Sequence, residues 1–482
     1  MLSARKSNRI FVAAAAASLV IHKKLKRESA ICQALHHHVV IIGGGTAGVG
    51  VSSQLLKEEV KDIAVIEPRS SHFYQPLWTL VGGGIKKNSD SVMPIREVLA
   101  KQTTLIPQFV AEIKPNANEI ILADGVVISY DYLVIATGLQ TRWDLVPGLR
   151  EAIKDPASKV VSIYGFDSSA KTWTEIQAFR GGRALFTMPN SPIKCAGAPQ
   201  KIMWLFEEYT RDKDIRDKTS VEFWIPSQSM FGVPKYSKKL ETIRVARFVD
   251  AFFQQELVSI DSENHIATFK SLKEGDKKPV FTKEKYDLLH VSPPFSAQTF
   301  LITSNKQLPT DKPLTDAHGF VSVNKCTLQS DHYPNVFALG DCCNTPNSKT
   351  AAAVMAQAPV VVHNLRQKMN SQPLNGAYNG YGSCPLMIGK NKVILAEFGY
   401  DGSILETFNH HTGVFPFSLL GQDGPIQERL FAFTKKHIFP FVYWHLYSIG
   451  RWYGPYTIFK PDVTKKHEPK TEPEPEHPPK RV

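Results

Sequence analysis

The sequence predicts an α/β protein of parallel strands and crossover helices, followed by an amphipathic C-terminal region. Three stretches predict it. Val39-Val40-Ile41-Ile42 is a continuous apolar run that leads at once into Gly43-Gly44-Gly45-Thr46-Ala47-Gly48, with Gly-x-Gly-x-x-Gly spacing. Tyr132-Leu133-Val134-Ile135-Ala136-Thr137-Gly138 is an apolar strand closing in Ala-Thr-Gly. Asn335-Val336-Phe337-Ala338-Leu339-Gly340-Asp341 is another, ending in Gly-Asp. Short apolar runs without polar alternation are expected where a parallel sheet is covered on both faces.

The first glycine turn has a defined use. Gly43 permits a tight turn, Gly45 lets backbone approach a pyrophosphate, and Gly48 allows close helix–strand packing. A helix opening near Thr46 offers its positive dipole end to phosphate. The next strand, Ile63-Ala64-Val65-Ile66, ends in Glu67, placed to accept hydrogen bonds from a ribose. Strand, glycines, helix, strand and terminal acid in register define a Rossmann-like dinucleotide site.

Length and charge set the frame. A chain of 482 residues holds two or three domains. The net charge of +12 points either to nucleic acid or to an anionic membrane surface. No zinc-finger spacing or long basic helix is present, and basic residues accompany apolar or aromatic ones at both ends, which favours the membrane over nucleic acid. Six scattered cysteines, with no Cys-x-x-Cys, exclude a disulfide scaffold and a paired zinc knuckle, and no metal site is expected. Residues 1–37 carry Arg5, Lys6, Arg9, Lys23, Lys24, Lys26 and Arg27 against one acid, Glu28, and read as a mitochondrial transit peptide, with a short interfacial anchor as the alternative.

In order and together, the three strand motifs resemble the flavoproteins with two dinucleotide-binding domains. That resemblance implies FAD as cofactor, with Thr137 and Gly138 at the crossing into a second domain and Asp341 on the ribityl chain. It also implies an FAD domain in two parts, 38–145 and 326–370, split by a second Rossmann-like domain at 146–325.

The inserted domain departs from that pattern at one loop. After the strand Ala184-Leu185-Phe186-Thr187-Met188, a second glycine turn would be expected, but the chain reads Asn190-Ser191-Pro192-Ile193-Lys194-Cys195-Ala196-Gly197-Ala198. Prolines and Lys194 remove the backbone approach a second pyrophosphate needs, so NAD(P)H is disfavoured as electron donor. A helix start just after Cys195, with Lys194 and Lys201 nearby, favours its thiolate. Further on, Ser348-Lys349-Thr350-Ala351 opens a helix of small residues, whose N-terminus in this fold points at the flavin pyrimidine end. Cys342 and Cys343 read as packing residues. Cys384 lies in Gly380-Tyr381-Gly382-Ser383-Cys384-Pro385, a turn before the strand Val393–Glu397, and taken alone it is as consistent with packing as with chemistry. A reactive Cys195 needs a resolving partner, however, and no other cysteine sits in a comparable loop.

The C-terminal region, 371–460, ends in a stretch where eleven of the thirty residues from Phe431 to Lys460 are Phe, Trp or Tyr, interleaved with Lys435, Lys436, His437, Arg451 and Lys460. Short amphipathic helices lying at a lipid headgroup boundary are expected there. Residues 461–482, rich in Pro, Glu, Lys and His, read as a disordered tail.

Four runs sharpen the resemblance: His72-Phe73-Tyr74-Gln75-Pro76-Leu77-Trp78, Lys194-Cys195-Ala196-Gly197-Ala198-Pro199-Gln200-Lys201, Ser348-Lys349-Thr350-Ala351-Ala352-Ala353-Val354 and Ser383-Cys384-Pro385-Leu386. With them the chain resembles the mitochondrial-type sulfide:quinone oxidoreductases over about 38–460. The resemblance implies that Cys195 and Cys384 are the redox cysteines, and that Gln75, Val110 and Lys349 contact FAD beside Thr46, Ala47, Glu67 and Asp341. It implies hydrogen sulfide as substrate and a ubiquinone-type quinone as electron acceptor. It further implies a small sulfur acceptor (glutathione, sulfite or cyanide) and a peripheral place on the mitochondrial inner membrane. Cys195 is taken as persulfide carrier and Cys384 as the thiol that reduces flavin. The rival readings are a type II NADH:quinone oxidoreductase and a non-enzymatic FAD-containing interaction protein.

Overall fold

The computed structural model describes residues 35–275, 278–407 and 425–464. Residues 1–34 of the expected transit peptide and most of the expected tail lie outside them, whereas Leu35, His36 and His37, placed in that peptide, open the first strand.

The chain opens with β1 (Leu35–Ile42), the glycine turn, helix α1 (Thr46–Lys57) and β2 (Ile63–Ile66). Strands β3 (Thr104–Ile106), β4 (Val110–Lys114), β5 (Glu119–Leu122) and β6 (Val127–Ile135) extend this sheet. Val39 to Ile41 are fully buried at its centre, as expected for a strand covered on both faces. Strand β6 changes partner along its length. Its first residues pair antiparallel with β5, whereas Leu133–Ile135 pair in parallel with a strand reached only much later.

Between those two visits to the first sheet lies a second, wholly parallel one. It contains β7 (Val160–Val161), β8 (Gly182–Thr187), β9 (Thr219–Ile225), β10 (Asp250–Phe253) and β11 (Leu288–His290), in the order β7-β11-β8-β9-β10. Helix α2 (Ala198–Asp212) follows β8, and an antiparallel three-stranded sheet occupies residues 255–285. The chain then returns as β12 (Val336–Ala338), the late partner of β6, and helix α3 (Ala351–Met369), which packs on α1.

Two C-terminal pieces complete the site. Strands β13 (Gly382–Gly389) and β14 (Lys392–Phe398) form a hairpin against α2. Cys384 therefore stands inside a strand, opposite Ala396, where the glycine-rich run had suggested a turn. Cross-strand pairing from Gly382↔Phe398 onward overrides the local turn signal. Helix α4 (Pro425–Phe433) continues through π turns at Thr434–Ile438 and Tyr443–Tyr447.

Those π turns have a geometric consequence. Gln427, Phe431, Lys435, Tyr443 and Tyr447 are buried at multiples of four residues, while Phe433, His437, Phe441, His445 and Ile449 are exposed at intervals of four. A helix of 3.6 residues per turn would rotate such a stripe by about 40° every four residues. The wider π turns absorb that drift and keep both faces straight. The aromatic stretch is thus divided: one face packs inward, and the other carries Phe433 and Phe441 to the surface.

Candidate active site

Cys195 sits between the end of β8 and the start of α2, with φ of 56°, a left-handed conformation costing about 1–2 kcal/mol for a residue with a side chain. Two backbone hydrogen bonds hold it: Cys195 N–H donates to Lys349 O at 2.7 Å, and Ala198 N–H donates to Cys195 O at 2.8 Å. The first ties the cysteine loop to the segment that opens α3. Strand β13 brings up Cys384, and the two Sγ atoms lie 3.1 Å apart. Gly197 makes the approach possible, since a Cβ there would stand 2.5 Å from Cys384 Sγ and 2.4 Å from Leu386 Cδ2.

Lys201, on the first turn of α2 and 3% exposed, directs its Nζ to Cys195 Sγ at 3.2 Å. The hydrogen bond from Cys384 and the charge of Lys201 hold the Cys195 thiol well below its ordinary pKa, against the opposing effect of burial. Cys384 moves the other way, because it donates to Cys195 and is itself buried. Burial works against the Lys201 ammonium, but the neighbouring thiol charge outweighs it and raises that lysine. The pair is therefore poised with Cys195 as thiolate and Cys384 as thiol.

A second buried ammonium comes from the C-terminal helix. Lys435, 6% exposed, donates to Pro76 O at 3.3 Å, and burial followed by Lys201 repulsion brings its pKa down to about 8. It adds to the field that favours the Cys195 thiolate. Lys194 points away from the sulfurs to Gln75 Oε1, at 3.0 Å, between the rings of Phe295 and Trp78. Burial lowers its pKa to about 8.

The residues expected to hold a dinucleotide fit one. A Cβ on Gly48 would lie 1.8 Å from Gly43 O and one on Gly43 would lie 2.6 Å from Ala136 O, so turn, helix and strand close only with glycine. Gly45 and Gly138 open on free space instead. No side chain caps α1 at Gly45. Thr137 Oγ1 is buried and makes no hydrogen bond of ordinary length. Burial raises the Asp341 pKa while Lys349 and Lys194 oppose that rise. Glu67 accepts from Gly44 N and Arg69 N, at 2.9 and 3.0 Å, which fixes its carboxylate beside the turn. Val110 opens β4 at the same end, just past Ile106, whose carbonyl accepts from Glu67 N. Ala47 is buried behind Gly340.

Lys349 lies in the segment just before α3. Its Nζ donates to Cys343 O at 2.6 Å and Thr345 O at 3.1 Å, so the ammonium caps a loop, and its main-chain carbonyl is what meets Cys195. Thr350, next in sequence, caps α3 through Ala353 N. Cys342 and Cys343 are buried in the first core, and Cys326 is exposed.

Sequence reasoning missed a set of residues that the C-terminal helix introduces. Tyr443 Oη meets Thr46 Oγ1 at 2.9 Å and His72 Nε2 at 2.7 Å, while His72 Nδ1 meets Gly44 O at 2.8 Å. Tyr447 Oη donates to Thr46 O at 2.9 Å. The glycine turn is thus braced from behind by two tyrosines about 400 residues away. Their four-residue spacing with Lys435 was the one available signal.

Residues 37–167 match the family model described as pyridine nucleotide-disulphide oxidoreductase. The mitochondrial sulfide:quinone oxidoreductase of Dictyostelium discoideum is 41% identical over 422 residues, covering 86% of this chain and 87% of that one. Its Mus musculus counterpart is 40% identical over 396 residues, covering 82% of each. Among solved structures, the sulfide:quinone oxidoreductase of Aquifex aeolicus shares the fold with a TM-score of 0.62 at 22% identity, over 75% of this chain and 84% of that one. A chain of the Tetrahymena thermophila mitochondrial ATP synthase reaches a TM-score of 0.72 at 20% identity, over 88% and 98% respectively.

Proposed function

This chain belongs to the sulfide:quinone oxidoreductase family, and on that premise we propose that Cys195 and Cys384 are the redox pair through which it oxidises sulfide. It is a FAD-dependent oxidoreductase that takes electrons from hydrogen sulfide and delivers them to a quinone. The observation that carries the assignment of the pair is the 3.1 Å approach of the two sulfurs, with Lys201 bonded to one of them.

The division of labour follows from the electrostatics. In thiol–disulfide exchange the sulfur of lower pKa leaves faster. Hydrosulfide therefore attacks Cys384 Sγ of the oxidised pair, and Cys195 leaves as a thiolate beside Lys201. Cys384 then holds the new outer sulfur, the reverse of the roles that the resemblance suggested. A small nucleophile such as glutathione, sulfite or cyanide takes that sulfur and leaves two thiols. Re-oxidation of the thiols to the disulfide releases one electron pair. The glycine turn, Glu67, Thr137 and Asp341 would hold FAD, which would supply the two-electron acceptor between the thiols and the quinone. Lys201 and Lys435 favour Cys195 as a thiolate whenever the disulfide is open, and the close packing at Gly197 keeps the sulfurs in reach.

The second parallel sheet supports the reading of an inserted domain between about 145 and 325. The straight outer stripe of Phe433, Phe441 and Ile449 supports a peripheral seat on the mitochondrial inner membrane, where an amphipathic helix buries its apolar face among headgroups. Among the described residues no helix is long and apolar enough to cross a membrane. Relatives named as mitochondrial and the basic N-terminus support that compartment.

Anaerobic mixing of the FAD-loaded protein with sulfide in the presence of a small sulfur acceptor such as sulfite tests the assignment. Sulfide is expected to bleach the flavin, a quinone to restore it, and NADH to leave it oxidised. Cys195→Ser and Cys384→Ser should each stop the bleaching; an undiminished rate in either variant overturns the pair, and equally fast bleaching by NADH favours the dehydrogenase reading.

A further inference from the structure

Tyr164 and Ser292 lie just past the C-terminal ends of β7 and β11, neighbours in the second sheet, and β8 beside them runs into the cysteine loop. Ligands of parallel α/β sheets bind outside these strand ends. The placement is fixed by contacts to the same loop. Ser292 N donates to Thr187 Oγ1 at 3.4 Å, Phe295 N donates to Ser191 Oγ at 3.1 Å, and the Tyr164 ring meets the Phe295 ring edge-on with centroids 5.3 Å apart. Tyr164, Cys195 and Cys384 belong to one packed cluster.

Both side chains are sequestered, at 6% and 2% exposure; their hydroxyls face each other, with Ser292 opposing the rise of the Tyr164 pKa, yet neither makes a hydrogen bond of ordinary length. Buried polar groups are nearly always paired, so two such hydroxyls beside a reactive sulfur pair point to an occupant that accepts hydrogen bonds. Burial, and after it the Cys195 charge, push the phenol of Tyr164 well above its ordinary pKa, which keeps it a neutral O–H donor.

We propose that the Tyr164 and Ser292 hydroxyls form a two-donor cradle for the outer sulfur of the Cys384 persulfide. This rests on the redox-pair reading above and adds the subsite where the transferred atom waits. The incoming sulfide sulfur forms a bond to Cys384 Sγ as the Cys384–Cys195 bond breaks, and the electron pair leaves on Cys195 Sγ. The remaining sulfide proton passes to solvent as the persulfide ionises, and the outer sulfur accepts from the two hydroxyls. Each hydrogen bond to a charged acceptor favours the persulfide over free hydrosulfide and disulfide by about tenfold to a hundredfold. Tyr164 and Ser292 are positioning residues that hold the sulfur in place until an acceptor removes it.

The test titrates full-length, FAD-loaded, oxidised enzyme with sulfide anaerobically and without acceptor, then counts protein-bound sulfane sulfur by cyanolysis after gel filtration. Tyr164→Phe and Ser292→Ala are each expected to raise the sulfide concentration for half-loading at least tenfold, and Ser292→Thr to restore it. Without sulfide, Ser292→Ala should melt no lower than the parent, because the hydroxyl it removes makes no hydrogen bond of ordinary length. If both variants load like the parent, the hydroxyls serve a structural water and the proposal is overturned. If instead Cys384→Ser loads like the parent, the redox-pair reading itself fails.

Discussion

Replacing Lys435 by methionine should make the protein more stable and its thiol less reactive. The ammonium is almost wholly buried with one carbonyl partner, Pro76 O, and its pKa falls from the ordinary 10.5 to about 8. At 1.36 kcal/mol for each tenfold change in proton affinity, that fall corresponds to about 3 kcal/mol. The sign follows from proton binding. Between pH 8 and 10.5 the unfolded chain keeps a proton that the folded protein has released, so the parent gains stability as pH rises through this window. Below pH 8 both states are protonated and the full penalty stands. Lys435→Met removes the penalty, so at pH 7 it should be more stable by up to about 3 kcal/mol, with the advantage fading between pH 8 and 10.5. Cys195 meanwhile loses one of the cations that favour its thiolate. Melting curves at pH 7 and pH 10 read the first effect. Iodoacetamide labelling of Cys195 in the reduced protein as a function of pH reads the second, and its midpoint should move upward. A variant that melts lower at pH 7 and labels with an unchanged pH profile would refute the reasoning.

Three other outcomes follow from packing and surface. Gly197→Ala places a methyl group 2.5 Å from Cys384 Sγ and must push the sulfurs apart, so sulfide-dependent flavin bleaching should fall at least a hundredfold, while the overpacking costs about 1–3 kcal/mol of stability. Gly48→Ala drives a Cβ into Gly43 O, with the expected result that purified protein carries much less flavin per chain by absorbance. Phe433→Glu combined with Phe441→Glu, both more than half exposed, should weaken co-sedimentation with anionic vesicles about tenfold or more. Sulfide bleaching and reduction of a water-soluble quinone should remain as in the parent.

Much of the fold was legible because its signals are local. The glycine turn, the acid at the end of β2 and the Ala-Thr-Gly and Gly-Asp strand ends are runs of adjacent residues whose conformation is set by their own sterics and hydrogen bonds. The setting of Cys195 was equally readable, since the helix start and Lys201 follow within six residues and only the turn of α2 is needed to bring them together. The glycine-rich approach to Cys384 misled, because strand pairing with Lys392–Phe398 depends on partners that no local window contains.

By itself the sequence determined the glycine turn of the first sheet, the loss of the second glycine turn and which two cysteines to propose as a pair. Only the tertiary structure decided how the site is electrified and braced. Cys195 and Cys384 stand 189 positions apart and meet because α2 packs on the β13–β14 hairpin. Lys435, Tyr443 and Tyr447 turn inward because π turns hold a four-residue repeat on one face, so a segment whose composition suits a membrane also supports the thiolate and the glycine turn. Lys349 shows the same limit from the other direction, its charge drawn to the nearby carbonyls of Cys343 and Thr345. Charge and burial act through space, and the distances that decide them come into being only when remote segments pack.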